Sequence, residues 1–340
     1  MCPKDDGTDS LRKADRRASQ PVCRSDGGVL ALVSRCIWCN SLSAERVLER
    51  RDRLGERMFA YFRCCQCGLI RLYPGVSLAE KDAYYPPTYE AYREQRGHWL
   101  ARLGQRWYWS RRVHAVHRLR LSPGNVLDVG CATGGYLAMM QARGWQVRGI
   151  EPNIEAAARA RQRLGPQAVW SKHLEEAQYP VDTFDLITLW DVLDHVQNPL
   201  EALRRLKIWL RSEGLLVVGV PDPGSWDARV FGDAWLGWDA PRHLYVFPER
   251  TLLAILEGSG FQAIATGCWY GSYGSLVASL DYLLQQRLAP SNLRRLLRRV
   301  ISLRIWRYLC WPYFRLAEGA GRGPIKTYVC RPIIRAGELR

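Results

Sequence analysis

Three groups of residues in this chain have the types and spacing to do chemistry. The first is cysteine. Cys36-Ile-Trp-Cys39 and Cys64-Cys65-Gln-Cys67 are two knuckles separated by 24 residues. Four thiolates so spaced can close a tetrahedral structural zinc site with no position left for water. The ligand set read here is Cys36, Cys39, Cys64 and Cys67, with Cys65 as an alternative to Cys64 and Gly68 in the tight turn that follows. A disulfide or a set of free thiols is the competing reading, while Cys131, Cys268 and Cys310 read as ordinary buried thiols. The second group is VLDVGCATGGYL (126–137), which reads as a strand, a turn and a helix start. Gly130 and Gly134 let the backbone turn tightly and approach a ligand. Glu151, followed by Pro152, ends the next strand, where an acid can accept both hydroxyls of a ribose. The third group is His195 in LWDVLDHV and His243 in PRHLYVF. Imidazoles suit proton transfer near neutral pH, and Arg242 beside His243 suits an acidic group.

The turn departs from the dinucleotide fingerprint GxGxxG, because Ala132 stands at the second glycine and Asp128 sits in the strand that leads into it. A carboxylate there would repel a pyrophosphate. It suits the ammonium and sulfonium of S-adenosylmethionine. The pattern D-x-G-x-x-x-G, with an acid after the second strand, resembles class I S-adenosylmethionine-dependent methyltransferases. FDLITLWDVLDHVQNPLEALRRLKIWLRSEGLLVVGVPD (184–222) resembles that superfamily's fourth strand, helix and fifth strand. WDAPRHLYVFPERTLLAILEGSGF (238–261) resembles one branch, whose members carry a zinc-binding N-terminal segment. The resemblance covers about residues 36–270 plus the last strand.

The resemblance implies roles position by position. Asp128, Gly130 and Gly134 face the methionine end of the cofactor, and Glu151 with Pro152 holds the ribose. Leu174 and Glu175, beside His173, fall where the family holds adenine. Trp190 and Asp191 end the fourth strand, where ligands bind in such sheets. Arg242, His243 and Tyr245 fall on the acceptor side. Methyl transfer from a sulfonium needs a positioned acceptor and, for a hydroxyl or an acidic carbon, a proton acceptor; His243 and His195 are the candidates. Helix capping or loop support is the structural alternative for both. Asp194 stands where relatives usually have Glu. The Asn/Asp-Pro-Pro-Tyr sequence of enzymes that methylate base amino groups is missing, which argues against DNA adenine methylation.

These residues need elements to position them. Short apolar strands are expected at 125–130, 146–152, 184–190, 214–221, 261–269 and 325–333, with amphipathic helices between most of them. Gly144, Gly165, Gly214 and Gly258 read as helix stops. Strand-helix alternation predicts an α/β fold: a Rossmann-like, doubly wound, seven-stranded sheet with an N-terminal zinc-ribbon-like module and a helical insertion before the last strand. The organisation read here is a disordered tail (1–30), a zinc-binding module (31–75), a helical linker (76–122), a methyltransferase domain (123–270 plus 323–335) and a basic amphipathic insertion (271–322).

Charge adds a further expectation. Lys and Arg number 49 against 33 acids, a net +16. Residues 91–120 hold eight Arg against Glu94, and residues 281–340 hold thirteen basic residues against Asp281, Glu318 and Glu338. Such patches attract phosphates, though a solvated basic face is the plain reading. LRRLLRRVISLRIWRYLCWPYF pairs Leu, Ile and Trp with Arg at helical spacing, the pattern of a helix lying in a membrane interface. Peripheral membrane contact through 281–318, a cap on the protein's own sheet and an RNA-binding face all stay open. No stretch is apolar enough to span a bilayer, and the first residues carry no secretory pattern, so a cytoplasmic protein, with an optional place at the inner membrane face, is expected. The leading function is methylation of a small-molecule, glycan or lipid-linked acceptor, at oxygen, with structural Zn2+. Carbon is the other acceptor atom considered. An RNA methyltransferase and a non-catalytic zinc-dependent adaptor are the alternatives, nucleic acid being the weaker partner.

Overall fold

The computed structural model describes residues 35–334 apart from 53–56, 87–88, 90–91, 93–98, 120, 289–291, 302 and 304. The expected tail (1–30), the first residues of the expected module (31–34) and residue 335 lie outside the described residues. The chain opens with β1 (Ala44–Arg51), β2 (Met58–Cys64) and β3 (Ile70–Tyr73). A short helix α1 (Leu78–Lys81) begins at a Ser77–Glu80 capping box, in which each side chain satisfies the other's backbone N–H. The long helix α2 (Trp99–His117) follows.

The main domain then alternates as its apolar periodicity dictates. It runs β4 (Asn125–Val129), α3 (Gly135–Gln141), β5 (Gln146–Ile150), α4 (Ile154–Leu164), β6 (Val169–Trp170), β7 (Phe184–Trp190), α5 (Pro199–Trp209), β8 (Leu210–Pro221) and α6 (Trp226–Phe231). It continues with β9 (Tyr245–Val246), α7 (Glu249–Gly258), β10 (Phe261–Gly267), α8 (Ser272–Arg287), α9 (Asn292–Ile301), α10 (Ile305–Leu309), α11 (Trp311–Gly319) and β11 (Ile325–Pro332). Seven strands form one sheet in the order β6-β5-β4-β7-β8-β11-β10. β4 to β8 are mutually parallel, and β11 runs antiparallel to β8 and β10. Val126, Leu127, Leu186, Ile187 and Leu216 are wholly buried, as central parallel strands covered on both faces require. The helices between β10 and β11 are the expected insertion before the last strand.

Strand order reverses at β4, which has β5 on one side and β7 on the other. At such a switch point the loops leave in opposite directions and open a crevice at the carboxyl ends of the strands. Helix starts around it are locally encoded. Asn153 caps α4, and Asn198 caps α5 with Pro199 in its first turn. Gly165 stops α4 at φ +113°. Gly214 does not stop a helix. α5 ends at Trp209, Leu210 is already extended, and Gly214 lies inside β8, where the register with β7 shifts between Leu210 and Leu215. The residues between them bulge out of the ladder and carry the chain from helix to strand without a glycine cap.

The N-terminal strands do not form an isolated module. β9, from the second half of the chain, completes their sheet by pairing Ile70 with Val246 and Arg71 with Tyr245. Three long-range bonds lock the seam. The Tyr61 hydroxyl donates to the His243 carbonyl at 2.9 Å, Arg50 Nε to the Trp238 carbonyl at 3.1 Å, and the Thr251 hydroxyl to the Cys67 carbonyl at 2.7 Å. The Trp109 ring of α2 packs against the start of α3, so that a Cβ added at Gly135 would fall 2.1 Å from it. Gly135→Ala is therefore expected to lower stability by about 1–3 kcal/mol in urea unfolding. Trp109→Ala in the same chain should recover part of that loss.

Candidate active site

The crevice at the switch point is built on a strained turn. Gly130, Ala132 and Gly134 have φ of +72°, +48° and +74°. At Gly130 a side chain would also meet Val192 Cγ2 at 2.6 Å. Ala132 tolerates the left-handed conformation because of what it reaches: its N–H donates to Glu151 Oε2 at 2.9 Å. Glu151 Oε1 accepts from the Asn153 N–H at 2.9 Å and from the Tyr92 hydroxyl at 3.2 Å. Burial pushes the Glu151 carboxyl up, and the two backbone N–H groups oppose that. Pro152, which follows it, is half-buried. Asp128 is 3 % exposed. Its Oδ1 accepts from the Thr188 hydroxyl at 2.6 Å, and burial pushes its carboxyl up to about 7.

Trp190 and Asp191 close the other side of the crevice. Asp191, at φ +58°, accepts from Arg112 Nη2 at 3.1 Å and from the Tyr270 hydroxyl at 3.0 Å. Arg112 comes from α2 and stands among the rings of Tyr108, Tyr270 and Trp190, at 4.6, 4.8 and 5.5 Å. Its Nε is buried and has no hydrogen-bond partner among the described residues. Leu174 and Glu175 form a 3₁₀ turn after β6, with Leu174 buried and the Glu175 carbonyl accepting from Arg205 at 2.6 Å. These groups fit S-adenosylmethionine. Asp128 offers a buried negative charge to a cation, Arg112 an unspent donor to a carboxylate, and Glu151 the remaining acceptor site of Oε2, plus that of Oε1 if Tyr92 yields it, to a ribose.

Beyond Asp191 lies a second buried cluster. Asp194 is 1 % exposed and neither of its carboxylate oxygens accepts a hydrogen bond among the described residues. His243 Nε2 lies 3.5 Å and His195 Nε2 3.7 Å from Asp194 Oδ2. The two imidazoles meet edge to face at 4.7 Å. His243 Nδ1 is 3.0 Å from the Gly237 carbonyl, which assigns a proton to Nδ1 and leaves Nε2 to face Asp194. His195 Nδ1 lies between the Tyr85 hydroxyl at 2.7 Å and the Arg242 carbonyl at 2.9 Å. Burial holds His195 well below the ordinary imidazole range, and burial pushes Asp194 up to about 6. These donors also match in type a divalent-metal site, since the three lie within 4.8 Å of one another.

The remaining acceptor-side candidates are otherwise engaged. Arg242 donates to both oxygens of Asp239 at 2.8 and 2.7 Å, so its charge is already matched. Tyr245 sits in β9 and its hydroxyl donates to the Gln197 carbonyl at 3.0 Å, within the seam. Three tyrosines from the supposed linker cover the site instead. Tyr85, Tyr89 and Tyr92 touch in series at 5.1 and 5.2 Å and run from His195 to Glu151. The Arg242 guanidinium stacks on Tyr89 at 5.2 Å, and Lys81 Nζ donates to the His195 carbonyl at 2.8 Å. Sequence reasoning missed these tyrosines, Lys81 and Arg112. The aromatic run YYPPTYEAY was their visible signal.

The cysteine centre lies at the far end of the seam. Cys36 and Cys67 Sγ are 3.5 Å apart, Cys39 and Cys64 Sγ 3.4 Å. All four converge within 4.8 Å. A tetrahedral zinc with bonds of about 2.3 Å sets its sulfurs about 3.8 Å apart, so the set fits that ion, with Cys64 rather than Cys65 in it. The knuckles match in backbone: Asn40 N–H donates to the Cys36 carbonyl and Gly68 N–H to the Cys64 carbonyl, each at 2.9 Å. Asn40 and Gly68 both take positive φ, +62° and +78°.

A family model described as "Methyltransferase domain" matches residues 95–266, half of the chain. The chain belongs to this methyltransferase family, and its sheet has the class I order. A tRNA U34 carboxymethyltransferase of Idiomarina loihiensis is 30% identical over 171 residues, which are 47% of this chain and 51% of that protein. A probable S-adenosylmethionine-dependent methyltransferase of Mycobacterium tuberculosis is 29% identical over 119 residues, 34% of this chain and 43% of that one. The chain thus spans about half the length of these curated relatives. Among solved structures, a methyltransferase of Thermotoga maritima, titled as a possible histamine N-methyltransferase, aligns with a TM-score of 0.46 at 19% identity, covering 68% of this chain and 92% of that one.

Two outcomes test these sites. Glu151→Ala removes a charged acceptor worth about 1.5–3 kcal/mol; calorimetry should show cofactor affinity about ten- to a hundredfold weaker. Metal analysis of the purified chain should find about one zinc, lost in the Cys36→Ser, Cys39→Ser double variant.

Proposed function

We propose that this protein methylates an oxygen of a small-molecule, glycan or lipid-linked acceptor, using S-adenosylmethionine, with the His195–His243 pair as proton acceptor. The observation that carries the reading is the meeting of two imidazoles on one buried carboxylate, next to the cofactor crevice and under a tyrosine cover. The cofactor, when bound, supplies a methyl group already activated on a sulfonium. The chain has to bind, orient and deprotonate the acceptor. A neutral His is the form that accepts a proton, and burial keeps His195 neutral. A buried carboxylate without hydrogen bonds is costly, so a proton arriving on either imidazole offsets the charge of Asp194. Tyr85 and Tyr89 lie over His195 and Arg242, a cover that favours a small accepting group over a duplex. Arg242 orients the cluster through its carbonyl, rather than by offering its guanidinium to substrate. Family membership, with Asp128 and Glu151 both in place, weighs against the non-catalytic adaptor.

RNA methylation is the second reading. It is favoured by relatives named as tRNA U34 carboxymethyltransferases and by the net charge of +16. Methyl-labelled cofactor with a host extract separated into lipid, glycan, small-molecule and RNA fractions decides between them. Label in RNA alone would overturn the first reading. On the accepting fraction, His243→Ala and His195→Ala should each lower turnover about 10²–10⁴-fold while cofactor affinity stays within a small factor. Unchanged turnover in both variants would remove the pair from the mechanism.

A further inference from the structure

We infer that the helical insertion is a docking surface for an anionic lipid bilayer, lying on it rather than crossing it. In a water-surrounded protein a surface helix turns its apolar stripe toward the core. α9 leaves one edge of its stripe outward. Leu293, Leu296 and Val300, spaced three and four apart, share one side, and they are 56%, 56% and 37% exposed. α9 has no buried residue. Leu297 and Ile301 lie half-buried on its other edge, and Arg298 Nε pairs with Asp281 of α8 at 2.6 Å. That ion pair fixes the rotation of the helix and leaves the leucine edge outward, with Arg295 and Arg299 exposed along its flank. The apolar edge continues through Leu303, Ile305 and Leu309, at 52%, 57% and 61% exposure, and ends at Trp311, 56% exposed.

The occupant follows from chemistry. Water leaves these aliphatic side chains unburied, and nucleic acid offers them nothing to pack on. Nucleic-acid surfaces pair cations with stacking rings, whereas here six exposed aliphatic side chains outnumber the exposed rings of Tyr308 and Trp311. A second copy of the chain would set one arginine flank against another. An acyl interior beneath anionic headgroups satisfies both halves of the pattern: apolar side chains enter it while arginines meet phosphates. Among the described residues no helix is long and apolar enough to cross a membrane, so the contact is peripheral. The insertion is held firmly to the catalytic domain. The Tyr313 hydroxyl of α11 donates to Asp227 of α6 at 2.7 Å and the Leu236 N–H to the Ser279 hydroxyl of α8 at 2.9 Å, while Glu318 of α11 pairs with Arg111 of α2 and accepts from the Ser272 hydroxyl, each at 2.7 Å. Ser272 is two residues from Tyr270, whose hydroxyl holds Asp191. A docked insertion would therefore bring the crevice to the bilayer, whichever acceptor is used.

The test uses the full chain in co-sedimentation with phosphatidylcholine vesicles and with vesicles that also contain phosphatidylglycerol. Binding is expected only to the anionic vesicles and should weaken as salt rises. Leu293→Asp with Leu296→Asp should abolish it. Arg295→Gln with Arg299→Gln should weaken it about tenfold or more, at about fivefold for each lost cation. Unchanged cofactor affinity in both variants shows that the fold is kept. No vesicle binding by the parent chain, or binding indifferent to the leucine substitutions, would overturn the proposal. So would salt-sensitive binding to a single-stranded RNA homopolymer in place of vesicles.

Discussion

Carboxylates crowd the carboxyl ends of the parallel strands, and the structure is organised around neutralising them. Asp128, Glu151 and Asp194 are buried, with Asp191 partly exposed beside them. All four are pushed up by burial. A low-dielectric site cannot hold such charges without donors or cations. Each covering element supplies one. The turn after β4 gives Glu151 the N–H of Ala132, β7 gives Asp128 the hydroxyl of Thr188, α2 gives Asp191 the guanidinium of Arg112, and the segment before β9 sets His243 against Asp194. What the protein leaves uncompensated at Asp128 and Asp194 is what a cationic ligand and a transferred proton would complete.

That arrangement gives the cysteine unit a purpose beyond its own folding. β9 completes the N-terminal sheet, and Tyr61 bonds the carbonyl of His243. The position of one imidazole of the cluster is therefore tied to the strands that carry the cysteine centre. Too few residues surround those strands to build a core of their own, so the borrowed strand β9 completes their sheet, and a zinc held by the four cysteines would stabilise it further. The segment after β3 leaves this sheet to lay Lys81, Tyr85 and Tyr89 over the histidines.

The insertion follows a different logic. Where the main domain turns apolar side chains inward, α9 keeps Leu297 and Ile301 half-buried but leaves Leu293, Leu296 and Val300 outward, with Arg298 paired to Asp281. The same amphipathic spacing would have read identically for a helix capping its own sheet. The direction of the stripe separates the readings, and that direction is set by packing.

Much of this was legible in the chain itself. Contiguous interactions encode it: strand apolarity, the Asn caps, the glycines of the turn at 130 and 134, the knuckle spacing and the +16 charge need only neighbours within a few residues. Gly214 shows the limit of that reading, since a bulge and strand pairing with β7 overrode a local stop signal. The tyrosine cover, the binding of Arg112 to Asp191 across 79 residues and the meeting of His243 with His195 and Asp194 were decided only by tertiary structure. Sequence fixes which residue types are present and their local periodicity. Which distant charge neutralises which depends on where the closed sheet and its seam bring them, and no local pattern carries that information.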